Sequence, residues 1–225
     1  MTSPVLVAGD LYRFFHAGDG ETLALRGVSV TIHSGEMVAI TGPSGSGKST
    51  LIACLAGLDE PDGGTVSIDG TRISRVPEAE RARLRAHRVG LLMQTNNLIP
   101  HLTVADNIRL VQRLGGHRGS PTPAELCTLV GIGHLAQAVV AELSRGEEAR
   151  AGLAVALANA PQVLLADEPT GELDVVNETA IVSLLRDVAG EGRAVVIVTH
   201  NPAVAQAADR VIRLVDGRLE SCSPP

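Results

Sequence analysis

The residues of this chain that could do chemistry fall into two stretches. The first, Gly42-Pro43-Ser44-Gly45-Ser46-Gly47-Lys48-Ser49, has the form GxxxxGK followed by Ser or Thr, and it lies between an apolar run and a helix-like segment. Glycines at 42, 45 and 47 let the backbone curl so that successive N–H groups, from Ser44 through Ser46 and on to Thr50, converge on the β- and γ-phosphates of a nucleotide. A helix beginning near Lys48 turns its positive end toward the same point. Lys48 adds a point charge and Ser49 a hydroxyl for Mg²⁺. Lys48 is also the only lysine in the chain. A sequence that otherwise uses arginine for its basic residues has the compact ammonium here, where a phosphate binder needs one.

The second stretch is Val163-Leu164-Leu165-Ala166-Asp167-Glu168, an apolar run that ends in two carboxylates. This is the pattern of a buried strand whose carboxyl end faces a ligand. Asp167 would hold Mg²⁺, directly or through water, and Glu168 would polarise an attacking water as general base. Taken alone, an acidic pair after a strand is common in loops; beside the phosphate loop it gains a task.

The elements that must position these groups are short apolar segments at about Val28–Ile32, Met37–Thr41, Val89–Met93, Val163–Ala166 and Val195–Thr199, all of which read as buried strands. Between them Lys48–Gly57, Val104–Leu114, Glu147–Asn159 and Val175–Ala189 read as helices. Alternation of the two predicts an α/β fold with a mostly parallel sheet covered on both faces. From about Leu98 to Ala160 the rhythm gives way to helix-like sequence interrupted by a Gly-, Ser- and Pro-rich loop, Gly115–Pro123, which predicts an inserted helical lobe. The tail Cys222–Pro225 is expected to fray.

Bulk properties restrict the possibilities further. A chain of 225 residues with 44% hydrophobic and 1% aromatic content can build one aliphatic core without disulfides. Its three cysteines, Cys54, Cys127 and Cys222, show neither CxxC nor metal-ligand spacing, which suits a reducing compartment. The net charge of −6 lacks the basic footprint of a nucleic-acid binder, so no nucleic-acid partner is expected. No apolar run is long enough to span a bilayer, and any membrane role would go through a partner.

In this context "LLADEPTGELD" resembles the segment of ABC-type (ATP-binding cassette) ATPases that runs from the acidic strand into the loop carrying Asp174. The resemblance covers essentially the whole chain, with landmarks in family order: Phe15, the phosphate loop, Gln94 in "LLMQTNNLIPHLTVADNI", "LSRGEEAR", Asp167, Glu168, Asp174 and His200. It implies a P-loop NTPase core at 1–97 and 161–225, with an antiparallel β portion near the N-terminus, and an α-helical subdomain at 98–160. It also implies ATP and Mg²⁺ as ligands, with Ser49, Gln94 and Asp167 around the metal. Gln94 would sense the metal and the attacking water, and His200 would stabilise charge on the γ-phosphate. Phe15 would stack on adenine, with Phe14 a competitor for the role.

By the same resemblance, Ser144, Gly146 and Glu147 would face the nucleotide of a second subunit, a copy or a paralogue, in a head-to-tail dimer, and Asp174 would bridge the two sites. "LAGLDEPDGGTVSIDG", "LIPHLTVADNI" and "DEPTGELD" look like the subgroup that serves lipoprotein-release, macrolide-efflux and cell-division permeases. An integral-membrane permease subunit, contacted around Gln94–Asn107, and a place on the cytoplasmic face of the membrane follow as expectations.

One position departs from the family. Where it has Leu-Ser-Gly-Gly, this chain reads Leu143-Ser144-Arg145-Gly146. Arg145 would either obstruct closure of the dimer or turn to the phosphates as an added clamp. A regulatory module that closes on ATP without hydrolysis is the alternative it suggests, against which Glu168 and His200 stand intact. A small GTPase is excluded because the sole lysine sits in the phosphate loop, leaving none for an Asn-Lys-x-Asp guanine reader. The short interval between Gln94 and Ser144 excludes the long coiled-coil insertion of DNA-repair relatives.

Overall fold

The computed structural model describes residues 3–17, 20–95, 97–116 and 121–223. Along the chain run β1 (Pro4–Ala17), β2 (Gly20–His33), β3 (Met37–Thr41), α1 (Lys48–Leu55), β4 (Gly63–Ile68), β5 (Thr71–Arg72), α2 (Glu78–Arg88) and β6 (Val89–Leu92). There follow α3 (Val104–Leu114), α4 (Pro123–Leu129), α5 (Arg145–Ala156), β7 (Val163–Asp167), α6 (Val175–Gly190), β8 (Ala194–Val198), α7 (Pro202–Gln206), β9 (Arg210–Val215) and β10 (Arg218–Ser223).

The continuously apolar strands β3, β7 and β8 are buried on both faces, as parallel strands covered from two sides must be. They lie at the centre of a sheet ordered β10-β9-β3-β8-β7-β6, in which only β10 runs antiparallel to its neighbour. A second sheet, β2-β1-β4-β5, is antiparallel throughout. Alternate residues of the central strands feed two cores, following the period of two. Met37, Ala39, Leu164, Ala166, Val195 and Ile197 face the helices on one side. Val38, Ile40, Val163, Leu165, Val196 and Val198 face α1 and the antiparallel sheet on the other. Aliphatic side chains carry both cores.

Between residues 98 and 160 the described elements are α3, α4, α5 and two short 3₁₀ turns, with one bridge between Thr103 and Val139. The three helices are capped by Thr103, Thr122 and Ser144, the last two in reciprocal capping boxes with Glu125 and Glu147. Val104, Ile108, Leu126, Val130 and Leu153 of this region join the helix-side core of the sheet. A close approach seats α5: a Cβ on Gly90 of β6 would lie 2.4 Å from the Ala156 carbonyl oxygen.

Some boundaries differ from those expected. The helix predicted from Glu147 starts at Arg145, because Ser144 caps it and the next residues form its first turn. The apolar stretch Val28–Ile32 is the C-terminal part of a 14-residue strand. Cys222 and Ser223 belong to β10 by backbone pairing, with Ser223 opposite Val211, so the expected fraying of the tail does not include them. Residues 117–120 of the Gly115–Pro123 loop, and Pro224 and Pro225, lie outside the described residues.

Gly90→Ala tests the seat of α5. The added methyl must push the Ala156 backbone away, and urea denaturation is expected to show a loss of about 1–3 kcal/mol, the usual cost of overpacking.

Candidate active site

The register of the central strands brings their carboxyl ends together. Ile40 lies opposite Val198, and Val198 opposite Asp167, so whatever follows β3, β8 and β7 shares one edge. After β3 comes the glycine loop, with Gly42, Gly45 and Gly47 at φ of 149°, 77° and 100°. Two of these positions also have no room for a side chain. A Cβ on Gly42 would lie 2.0 Å from the Leu214 carbonyl oxygen, and one on Gly47 would lie 2.4 Å from that of Ala24. Gly45 faces open space and is needed only for its dihedral.

Lys48 Nζ donates to the carbonyl oxygens of Gly42 (2.9 Å) and Pro43 (2.8 Å), which holds the lone lysine charge against the loop. A cleft of about 640 Å³ opens above it. Of the residues expected there, Phe15, Gly42, Ser44, Gly45, Gly47, Lys48, Ser49, Thr50, Gln94, Asp167, Glu168 and His200 line the cleft. Ser46 does not: its side chain is buried, its Oγ has no partner, and its N–H is taken by the Pro43 carbonyl at 3.2 Å.

Asp167, at the end of β7, lines the cleft together with Ser49. Burial pushes its carboxyl above the usual range; the Ser49 hydroxyl and the Lys48 charge pull the other way, while the neighbouring Glu168 charge adds to the rise. Glu168 has a left-handed backbone (φ 48°), uncommon for a residue with a Cβ, and its N–H is held by the Val198 carbonyl at 2.9 Å. Its Oε1 lies 2.8 Å from His200 Nδ1. An ionised carboxylate only accepts, so His200 carries a proton on Nδ1 in this contact.

Ser49 and Asp167 offer hard oxygen donors to the same cleft, and among the described residues no three His, Cys, Asp or Glu side chains converge as a cage. That donor set fits Mg²⁺, which is usually held by one or two carboxylates together with substrate phosphates. Gln94, exposed on the loop after β6, lines the same cleft.

Phe15, rather than Phe14, lines the cleft. The Arg13 guanidinium sits 4.9 Å from the Phe15 ring centroid and is itself fixed by Asp59 at 2.8 Å and Asp62 at 3.1 Å. The Phe14 N–H is bound to Asp62.

Ser144, Gly146, Glu147 and Asp174 are not brought to this cleft. Ser144 caps α5 with Glu147, whose carboxyl is held below its usual range chiefly by the Ser144 hydroxyl. Gly146 is buried, and a Cβ there would lie 2.2 Å from Asn177 Oδ1. Asp174 caps α6 and accepts from the Asn177 N–H at 2.9 Å, the leading cause of its lowered pKa. In the single chain the Arg145 guanidinium forms an ion pair with Glu172.

Sequence reasoning missed the hairpin Asp216-Gly217 between β9 and β10. Both residues have positive φ (45° and 73°), Gly217 N–H donates to the Ser46 carbonyl at 3.1 Å, and both line the cleft. The signal was present: Asp-Gly between apolar runs is a strong two-residue turn sequence.

Comparison with known proteins places this geometry. The sequence family described as ABC transporter matches residues 25–171. The lipoprotein-releasing system ATP-binding protein LolD 2 of Caulobacter vibrioides is 40% identical over 224 residues, covering 98% of each chain. The macrolide export ATP-binding/permease protein MacB of Chlorobium luteolum is 41% identical over 98% of this chain, which spans 33% of that longer protein. Among solved structures, the dimeric post-hydrolysis state of the ATP-binding cassette MJ0796, bound to ADP and Pi, superposes with a TM-score of 0.87 at 33% identity, covering 97% of this chain and 98% of the other.

Gly42→Ala isolates the close approach of the loop. At a hundredfold excess of ATP over its dissociation constant, the parent chain gains about 2.7 kcal/mol in stability. The variant, its loop displaced from Leu214, is expected to gain less than about 0.5 kcal/mol at the same concentration, read as the loss of the nucleotide-dependent shift in Tm.

Proposed function

This chain belongs to the ABC transporter family as an ATP-binding, ATP-hydrolysing subunit that powers a membrane transporter, and on that premise we propose a division of labour among its residues. The observation that carries it is the Glu168–His200 contact at 2.8 Å, at the edge where Lys48, Ser49 and Asp167 also meet. Glu168 takes the proton of the attacking water. His200 holds Glu168 through Nδ1–H and, with Nε2 protonated as well, donates to a phosphate oxygen and adds positive charge there. Lys48 leaves the Gly42 and Pro43 carbonyls for the phosphates, and the loop N–H groups fix their orientation. Ser49, Asp167 and Gln94 hold Mg²⁺, which supplies charge neutralisation on the phosphates when bound. Phe15 supports the adenine ring.

The active unit is a dimer with a second copy or a paralogous subunit, in which the face bearing Ser144, Glu147 and Asp174 meets the partner's nucleotide, with the buried Gly146 packed behind it on Asn177. The dimeric cassette of like fold supports this arrangement. Among the described residues no helix is long and apolar enough to cross a membrane, so the movement is delivered to an integral-membrane permease. The helices of 98–160 act as the transmitting subdomain against the core formed by 1–97 and 161–225. A groove of about 680 Å³ between α2, β6, α3 and α5 passes beside Met93 and Asn97, which flank the Gln94 loop, and has Ala82, Val111 and the 75% exposed Leu114 in its walls. A short helix of the permease occupies that groove, placing the chain on the cytoplasmic face of the membrane. Relatives named for lipoprotein release and macrolide export make this subgroup the reading for the pathway.

Purified chain is expected to hydrolyse ATP in an Mg²⁺-dependent manner, and Glu168→Gln to lower turnover by about a hundredfold or more while trapping an ATP-bound dimer. A variant that turns over as fast as the parent removes Glu168 from the role of base. The groove is tested separately. Leu114→Glu is expected to leave turnover of the isolated subunit within about twofold, as a surface change remote from the cleft, and to abolish co-purification with the permease.

A further inference from the structure

The residue that breaks the family pattern has a partner on the next motif along the chain. Arg145, in the first turn of α5, is ion-paired with Glu172, in the loop between β7 and α6. The side chains are 71% and 48% exposed, and an exposed pair of this kind contributes little to the stability of one chain. Its position is more informative than its strength. Arg145 and Glu172 line a cavity of about 210 Å³ that also has Gln94, Glu148 and Glu168 in its walls. Among the described residues lining it, Arg145 is the one cation beside three carboxylates. The pair also ties the turn that follows Ser144 to the loop that leads to Asp174.

We propose that Arg145 is a positioning residue that acts as a unit with Glu172, cancelling its carboxylate on the face that receives the second copy's nucleotide. This rests on the dimer proposed above. A triphosphate approaching that face meets Glu148 and Glu172, and like charges brought together at a contact oppose association. Without the arginine, the Glu172 carboxylate would stand uncompensated. The ion pair removes that charge without placing a free guanidinium in the interface. It therefore differs from an obstruction, which would make a smaller residue beneficial, and from a phosphate clamp, which would make Glu172 a competitor.

The test uses the full chain carrying Glu168→Gln, with Arg145→Gly, Glu172→Gln and both together, and measures the ATP-dependent dimer dissociation constant by sedimentation. Arg145→Gly is expected to weaken the dimer roughly 2- to 30-fold, one uncompensated Glu172 carboxylate being left at each of the two contacts, and the deficit should shrink at high salt. Glu172→Gln alone and the double variant should lie within about twofold of the parent, a neutral partner needing no compensation. Arg145→Gln, which keeps helix propensity and bulk, should reproduce the deficit of Arg145→Gly. Monomer Tm and monomer affinity for ATP should stay constant throughout, which a merely structural role would not produce alongside a weaker dimer. An Arg145→Gly dimer as tight as the parent's, or tighter, overturns the inference. So does a double variant as weak as Arg145→Gly, since Arg145 would then act on the phosphates directly. A parent that stays monomeric at saturating ATP overturns the dimer reading itself, and this inference with it.

Discussion

Three backbone segments meet at the phosphate loop at distances that no Cβ tolerates, and the rest of the site depends on that approach. Gly42 is pressed against the Leu214 carbonyl, while Gly47 and Gly217 are both pressed against that of Ala24. The loop is thus wedged between β2 of the antiparallel sheet and the β9–β10 hairpin of the parallel one. Its N–H directions are set by two sheets at once rather than by its own preferences, which for glycine are weak. The hydrogen bonds from Gly217 N–H to Ser46 O and from Arg26 N–H to Gly217 O close the same triangle. Preorganisation of this kind spares the ligand from ordering the loop itself.

Against this rigid cradle the acidic groups are held at a cost. Asp167 is pushed toward its neutral form by burial and by Glu168 beside it, and Glu168 occupies a backbone region that disfavours side chains. Neither arrangement helps a folded chain by itself. The first is relieved by positive charge near β7 and the loop, where Lys48 donates to two carbonyl oxygens. Functional residues that destabilise their own fold are common, and here the two sheets and their aliphatic cores supply the compensating stability.

How much of this could be read in advance depended on how local its cause was. β3 and α3 have the boundaries their apolar patterns predict, because a buried parallel strand and an amphipathic, Thr-capped helix announce themselves within a few residues. The glycine loop and the acidic strand end were legible for the same reason. β1 was missed: its pairing with β2 shifts register repeatedly, including between Arg13 and Phe14, and each shift breaks the alternation that marks a strand. Those shifts also decide which phenylalanine reaches the cleft, a matter on which two adjacent rings give no sequence signal. α2, rich in Arg and Glu with no buried residue, lacked an apolar stripe to find. The partner of Arg145 lies 27 residues away on another element, so its identity belongs to the tertiary structure alone.

The groups expected to act toward a second subunit are already satisfied inside one chain, and by the same device. The Ser144 hydroxyl donates to Glu147 Oε2 at 2.6 Å and accepts from the Glu147 N–H at 3.4 Å; Asp174 accepts from the Asn177 N–H and from its side-chain amide. Each is a helix N-cap, held on the surface at the positive end of its helix. Capping fixes the rotamer that an interface residue would otherwise have to find on association, which lowers the ordering cost of contact. The Ser144 oxygen retains acceptor capacity, and its long bond to Glu147 N–H is easily shared. A helix start that stabilises the monomer is therefore also a preformed surface for the dimer proposed above, and the Arg145–Glu172 pair joins the first turn of α5 to the loop that leads to the second cap.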